Sequence, residues 1–306
     1  MFDFRLKVFY TVAQRLSFTR AASELFISQP AVTKHIRELE DFYKSPLFER
    51  SGNSKVSITP AGMLLLKYAE QILSLSRDLE YDMSMLRDKY SGTLRIGAST
   101  TIAQYLLPSL LAGFHKKFRD IRVSMISGNT EEIEQALINK QIEVGFIEGL
   151  SKKPRIHYSG YLNDEIVLVC PSHFHAFKKD TLSIDELTRY PLLMREPGSG
   201  TLEVIAHALK PFGLRLNDLN IEMQLGSTEG IKSYLAKSDC LAFISVHAIF
   251  KELKHRELRV IDVESLNIER PLQIAVQHGQ PSKLADLFIE FVHKNSSDWY
   301  NDHKIT

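Results

Sequence analysis

Two cysteines, Cys170 and Cys240, are all that 306 residues contain. That excludes a disulfide framework, and neither sits in a Cys-x-x-Cys pair. No uninterrupted apolar run reaches about 18 residues, so no transmembrane helix is expected. Asp3, Arg5 and Lys7 interrupt the opening residues, so no secretory signal is expected either. Net charge is almost absent: 38 Lys and Arg against 37 Asp and Glu leave +1. A polybasic, histone-like chain is thereby excluded, but not a nucleic-acid binder whose basic patch is balanced elsewhere. GxSxG, P-loop and HExxH motifs are missing, so no enzymatic constellation stands out. The expectation is a soluble, cytoplasmic protein that is not an enzyme.

What is present points to more than one domain. At roughly 150 residues per domain the length suggests about two, and 44% hydrophobic content is enough to build their cores. The charge is unevenly placed. Residues 1–60 hold nine basic and six acidic residues, so the remainder carries −2. Within this basic part Leu6, Phe9, Val12, Ala13 and Leu16 recur at helical steps. Residues 19–25 form a second short helix. Ser28 as cap and Pro30 in the first turn open a third, with Val32, Ile36 and Leu39 on its inner stripe. Residues 47–59 read as two short strands around a Ser51–Asn53 turn.

From Thr59-Pro60 about thirty residues run without another proline, to Ser91-Gly92. Leu65, Ala69, Ile72, Ser76, Leu79, Met83 and Leu86 fall at alternating four- and three-residue steps, a heptad seam that predicts dimerisation, although the same seam can pack internally. Strand-like segments then alternate with amphipathic helices (102–118, 130–139, 201–210, 227–237). The strands are read at 93–98, 121–127, 143–148, 166–170, 192–195, 221–226, 241–245, 258–262 and 272–277. Such alternation predicts an α/β domain with a mainly parallel sheet.

The N-terminal layout is that of a winged helix-turn-helix, whose second helix enters the major groove. Gln29 suits adenine, Lys34 guanine or phosphate, and Thr33 either kind of contact. Arg37, one turn on, suits phosphate. Arg50 and Lys55 lie in the hairpin, within reach of backbone or minor groove. A small helical subdomain with a solvated charged face is the plainer alternative.

The segment FYTVAQRLSFTRAASELFISQPAVTKHIRELEDFYKSPLFERSGNSKVSITPAG resembles the N-terminal region of the LysR-type transcriptional regulators. The matching residues are Ser17-Phe18-Thr19, Ala21-Ala22, Leu25, Ser28 to Thr33, Ile36, Leu39-Glu40, Leu47 to Arg50 and Thr59 to Gly62, in order over more than fifty positions. The resemblance implies a winged helix-turn-helix (1–59), a dimerising linker helix (60–90) and an effector domain like the periplasmic binding proteins. Its lobes are expected at 91–162 with 267–306 and at 163–266. It also implies double-stranded DNA with an inverted-repeat operator as partner, a homodimer assembled into a homotetramer, and contact with RNA polymerase. No cofactor is implied beyond a small-molecule effector. Arg20, Ser28 and Pro30 join the DNA-binding candidates, and Leu65, Ala69, Ile72, Leu79, Met83 and Leu86 the dimerising ones.

Ligands of open α/β sheets bind at the carboxyl ends of strands. Ser99-Thr100-Thr101 ends one strand and starts a helix, where hydroxyls and free backbone N–H groups favour an anion. Residues 195–201 repeat this with Arg195, Gly198, Ser199, Gly200 and Thr201. GNT (128–130) and GST (226–228) open further helices. Simple capping is the competing reading for each. The effector candidates are Ser99, Thr100, Thr101, Gln104, Glu148, Arg195, Ser199, Thr201 and Ser227. REPGSGT, with Phe146 to Gly149, most resembles the family branch containing regulators of carbon fixation and sulfur assimilation, which implies a small, anionic effector. Ser238-Asp239-Cys240 departs from the Gly-x-Gly turn of relatives, although Ser245 is kept. Cys170, His173 and His175 lack a fourth metal ligand, and Cys240 lacks an evident resolving partner. The rival readings are a solute-binding protein without DNA-linked regulation and an α/β enzyme.

Overall fold

The computed structural model describes residues 3–51, 55–86, 90–150, 152–174, 180–279 and 281–302. The chain divides into two compact units, Met1–Gly92 and Thr93–Thr306.

The first unit is built from α1 (Phe4–Arg15), α2 (Phe18–Leu25), α3 (Gln29–Tyr43), β1 (Phe48–Ser51), β2 (Lys55–Ile58) and α4 (Pro60–Met85). Its helix starts are local chemistry. The hydroxyls of Ser17, Ser28 and Thr59 accept from the backbone N–H three residues on, as N-caps do. Pro30 and Pro60 sit in first turns, where a missing N–H costs nothing. Val8, Phe9, Val12, Ala21, Val32, Ile36 and Leu47 form the core. The hairpin pairs Phe48 with Ile58 and Ser51 with Lys55. Gly62 is required where α4 crosses it, because a Cβ there would lie 2.3 Å from the Leu47 carbonyl oxygen. Helix α4 stops at Met85, short of the expected Ser91-Gly92, and Gly92 already belongs to a strand.

The second unit follows the order β3 (Gly92–Ser99), α5 (Leu107–Lys117), β4 (Ile121–Gly128), α6 (Thr130–Ile138), β5 (Val144–Glu148), β6 (Ile156–Pro171), β7 (Thr181–Leu182) and α7 (Ile184–Leu187). It continues with β8 (Leu192–Arg195), α8 (Gly200–Leu209), β9 (Ile221–Leu225), α9 (Thr228–Leu235), β10 (Leu241–Ser245), α10 (Phe250–Lys254), β11 (Leu258–Val263), β12 (Glu269–Gln277) and α11 (Lys283–Asp302). A π-helical turn, Ile102–Leu106, precedes α5. Pro108 has no N–H to give the Gln104 carbonyl, and a widened turn absorbs that loss. The expected single helix over 102–118 is therefore two pieces.

The strands run β4-β3-β5-β12-β6-β10-β8-β9, with β11 pairing both β6 and β7. Parallel pairs, β3 with β5 and β8 with β9 and β10, lie toward the two ends. The centre is antiparallel, since β12 pairs with β5 and β6, and β6 with β10 and β11. The sheet is thus mixed rather than mainly parallel. The reason is β6. Its first ten residues pair with β12, while its last six pair with β10 and β11. One strand therefore carries the chain from one half-sheet to the other, and the 162/163 boundary falls inside it. Apolar residues fill both faces of the second half: Leu168 and Cys170 face one core, Val169 and Cys240 the other.

Candidate nucleic-acid interface and effector cleft

Helix α3 buries Val32, Ile36 and Leu39 and turns Gln29, Pro30, Lys34 and Arg37 outward. Ser28 and Arg20 are also exposed, and Thr33 is half-buried. The Gln29 amide donates to the Thr33 hydroxyl at 3.0 Å, and that hydroxyl donates to the Gln29 carbonyl at 3.2 Å. The pair presents one joint polar surface. Lys34 is loosely held, 3.9 Å from Glu38. Glu40 ties two elements together. Its carboxylate accepts from the Leu47 and Phe48 N–H groups and pins the start of the hairpin to the recognition helix. Arg50 and Lys55 lie on β1 and β2, and their side chains fall outside the described residues.

The seam on α4 needs correction. Leu65 and Ala69 belong to the core of their own unit, so they cannot face a second chain. Ile72, Leu79, Met83 and Leu86 are exposed as expected, but so are Leu64, Tyr68 and Leu75. The outward stripe therefore runs Leu64, Tyr68, Ile72, Leu75, Leu79, Met83, Leu86. The heptad steps could not reveal this, because in the first turns an adjacent stripe is taken by packing within the unit.

In the second unit the ends of β3, β5 and β8 meet the start of α8. Ser99, Glu148 and Thr201 come together there, around a residue that sequence reasoning missed. Arg270, on β12, is fully buried. Its guanidinium donates to Asp164 Oδ2 at 2.7 Å and to the Thr201 hydroxyl at 2.6 Å, and its Nη1 lies 3.4 Å from Glu148 Oε1. The Ser99 hydroxyl donates to the other oxygen of Glu148. Ser245 donates to Asp164 Oδ1 at 2.8 Å, and His247 Nε2 is 3.6 Å from that oxygen. Residues from both half-sheets thus share one buried network with two carboxylates and one arginine. The helix start is pressed against it, since a Cβ on Gly200 would lie 2.0 Å from the Glu148 carbonyl oxygen.

Beside this network stand donors that are not satisfied. Arg195 is buried, paired with Glu196 at 2.8 Å, and its Nη1 has no partner. Ser199 precedes α8 but makes no capping bond, and its buried hydroxyl also lacks a partner, as does the shielded hydroxyl of Thr100. Thr101 is buried, 3.5 Å from the Thr228 hydroxyl. Gln104 is exposed. For Ser227 capping suffices, because its hydroxyl accepts from the Gly230 N–H at 3.1 Å. Between α6 and α8 a cavity of about 400 Å³ is lined by Thr130, Ser199, Glu131, Glu134, Glu203 and Lys153. A second interlobe tie lies on α9. Tyr105 donates to Glu229, and Lys232 bonds Glu229 at 2.8 Å and Glu252 at 2.6 Å.

Cys170 and Cys240 line different cores, so they do not face one another. Burial pushes both thiols up, away from the reactive thiolate form. His175 lies outside the described residues. Among the described residues no three His, Cys, Asp or Glu side chains are grouped to hold a metal ion, and no helix is long and apolar enough to cross a membrane.

Comparison with known proteins matches this geometry at both ends. Residues 4–63 fit the family model "Bacterial regulatory helix-turn-helix protein, lysR family", and residues 87–297 fit "LysR substrate binding domain". The chain belongs to the LysR family of transcriptional regulators. It is 30% identical to the HTH-type transcriptional regulator CysL of Bacillus subtilis, over 95% of this chain and 96% of that one. It is 33% identical to a probable RuBisCO transcriptional regulator of Cyanidioschyzon merolae, over 94% and 95%. Its fold is similar to the Synechocystis CcmR regulatory domain in complex with 2-PG (TM-score 0.62, 24% identity, 68% of this chain and 99% of that one). It is also similar to full-length CbnR complexed with its target DNA (TM-score 0.60, 21% identity, 96% and 99%). This LysR-family regulator therefore couples a DNA-binding unit to an effector-binding one, and the reading as a solute-binding protein without DNA falls away. Its relatives match the branch expected from REPGSGT.

Proposed function

We propose that this regulator senses a small anion in the cleft between its half-sheets and transmits that to an inverted-repeat operator. The observation that carries the reading is the set of buried, unpartnered donors: Arg195 Nη1, Ser199 Oγ and Thr100 Oγ1. A buried donor left unmade costs about 1–3 kcal/mol, and a ligand oxygen returns it. The start of α8 adds the positive end of a helix dipole. CcmR bound to 2-PG, a small anionic effector, supports the choice of charge. Ser199 also lines the neighbouring cavity, through which a ligand can reach it. Arg270 and Thr201 join that seat by way of Glu148. An anion that competes for their hydrogen bonds binds two arrangements of the lobes unequally, which is what shifts a population.

The regulator reads DNA as a dimer of winged helices joined along α4, with Gln29, Thr33 and Lys34 toward base edges and Arg20 and Arg37 toward phosphates. Two dimers assemble into a tetramer that contacts RNA polymerase. It works in the cytoplasm, without a resident cofactor and without catalysing a reaction. The test is a thermal-shift titration of the full chain with 2-PG, phosphate and sulfate, alongside Ser199→Ala and Arg195→Met. Stabilisation by one of these anions, lost in both variants, supports the seat. A shift retained in both moves the site elsewhere, and no shift with any anion removes the anionic reading.

A further inference from the structure

Helix α2 ends in a Schellman motif. The Phe26 N–H donates to the Ser23 carbonyl at 3.4 Å, and the Ile27 N–H donates to the Ala22 carbonyl at 3.1 Å. The residue between these bonds must adopt the left-handed conformation, and Phe26 does so at φ 55. Glycine takes that position without steric cost, which is why helices so often end on it. Phenylalanine must push its Cβ toward a carbonyl oxygen.

The side chain gains nothing inside the unit in exchange. Phe26 is 94% exposed, beyond every other large hydrophobic residue among the described ones. Ile27, its neighbour, supplies the apolar contact to the core that such a motif usually carries. An isolated exposed hydrophobic residue is ordinary on its own. Here the exposure coincides with a backbone position that disfavours the residue. It also coincides with the place where DNA is read, because Phe26 stands two residues before Ser28, the cap of the recognition helix. The polar side chains of Ser28 and Gln29 next to it, and the apolar ring of Pro30, all face solvent.

We propose that Phe26 is a specificity-determining residue that packs on the 5-methyl group of a thymine at the edge of each half-site. Thymine alone among the bases offers an apolar group in the major groove, and an aromatic ring is a fitting partner for it. Phe26 adds a shape contact where Gln29 and Thr33 supply hydrogen bonds. The inference rests on the helix-turn-helix binding DNA through α3.

The experiment uses the full-length chain and a duplex that the wild-type protein selects from a random-sequence pool. Wild type, Phe26→Gly and Phe26→Asn are compared on that duplex and on the same duplex with deoxyuridine in place of the one thymidine at the edge of each half-site. Both substitutions relax the left-handed turn, so both variants should melt at or above the wild-type temperature. On the thymidine duplex they should bind at least about fourfold more weakly per half-site, the worth of one buried methyl group. On the deoxyuridine duplex the wild type should fall to the level of the variants, which should be indifferent to the exchange. Equal affinity of wild type and Phe26→Gly on the thymidine duplex overturns the proposal. So does a deficit of the same size on the deoxyuridine duplex, which would make the residue a support of the turn only. A wild-type chain that enriches no duplex at all fails at the level of the DNA-binding reading instead.

Discussion

Arg270→Met removes the guanidinium that lies against both Glu148 and Asp164 while keeping a side chain of similar reach. Both carboxylates are buried with almost no exposure, and both rely on this guanidinium. Removing one partner of a buried ion pair costs about 3–5 kcal/mol, because the charge left behind has neither water nor counterion. Arg270 serves two carboxylates and the Thr201 hydroxyl, so the loss should reach the upper part of that range. For a domain of roughly 150–250 residues each kcal/mol moves the midpoint by about 2–4 °C. The expected fall is thus about 8–20 °C. Calorimetry on the full chain reads it as a shift of the effector-domain transition with the DNA-binding transition unmoved. A triple variant, Arg270→Met with Asp164→Asn and Glu148→Gln, separates charge from packing. Neutralising the whole network should recover most of the loss, since replacing a buried ion network by neutral groups is often close to neutral. A midpoint within about 2 °C of wild type for the single variant would refute the reasoning, because a network that costs so little to break does not join the lobes. A triple variant as unstable as the single one would assign the effect to lost packing.

Three further outcomes are expected. Arg37→Ala should weaken duplex binding and lower the slope of log affinity against log salt by about one, as loss of a phosphate contact does, whereas Lys34→Ala should relax sequence preference. Leu75→Glu should yield monomers in sedimentation with the DNA-binding unit still folded, whereas Ala69→Glu should unfold that unit, because the first side chain is outside and the second inside. Burial works against the charged form of Glu229, but hydrogen bonds from Lys232 and Tyr105 outweigh it and hold its carboxyl below the ordinary glutamate range. A group lowered in this way adds stability above its ordinary value and loses it as pH falls through its own lower one. The melting deficit of Tyr105→Phe should therefore be fullest at neutral pH and should shrink below about pH 4. A deficit that stays constant down to pH 3 would show that the hydroxyl does not act through Glu229.

The DNA-binding unit was legible residue by residue because its determinants are local. A serine or threonine cap, a proline in the first turn and a stripe of apolar residues act within four positions of one another, so the start of the recognition helix at Ser28 and Pro30 could be placed without a fold. Only part of the cleft was legible in this way. Ser99, Thr201 and Arg195 sit at strand-to-helix junctions that a sequence displays. Which hydroxyls cap their own helix, as Ser227 does, and which stay unpartnered, as Ser199 does, depends on what packs against them. Half of β6 was also hidden. Residues 156–165 are mostly exposed or half-exposed, without the strict alternation that marks a strand, and they are extended because β12 lies beside them.

The sequence by itself determined the family, the order of the elements, the reading helix and the strand ends where a ligand can sit. Those follow from short-range rules of capping, periodicity and motif. The tertiary structure alone decided the rest. It brought Arg270 to Glu148 and Asp164 from more than a hundred positions away, which no spacing rule anticipates. It assigned Leu65 and Ala69 to the inside of their own unit and Leu64 and Tyr68 to the outside, because the rotation of a helix is set by what it packs on. It placed Cys170 and Cys240 in separate cores, because the pairing of Ala242 with Val169 sets Cys240 one residue out of step with Cys170, and successive side chains along a strand point to opposite faces.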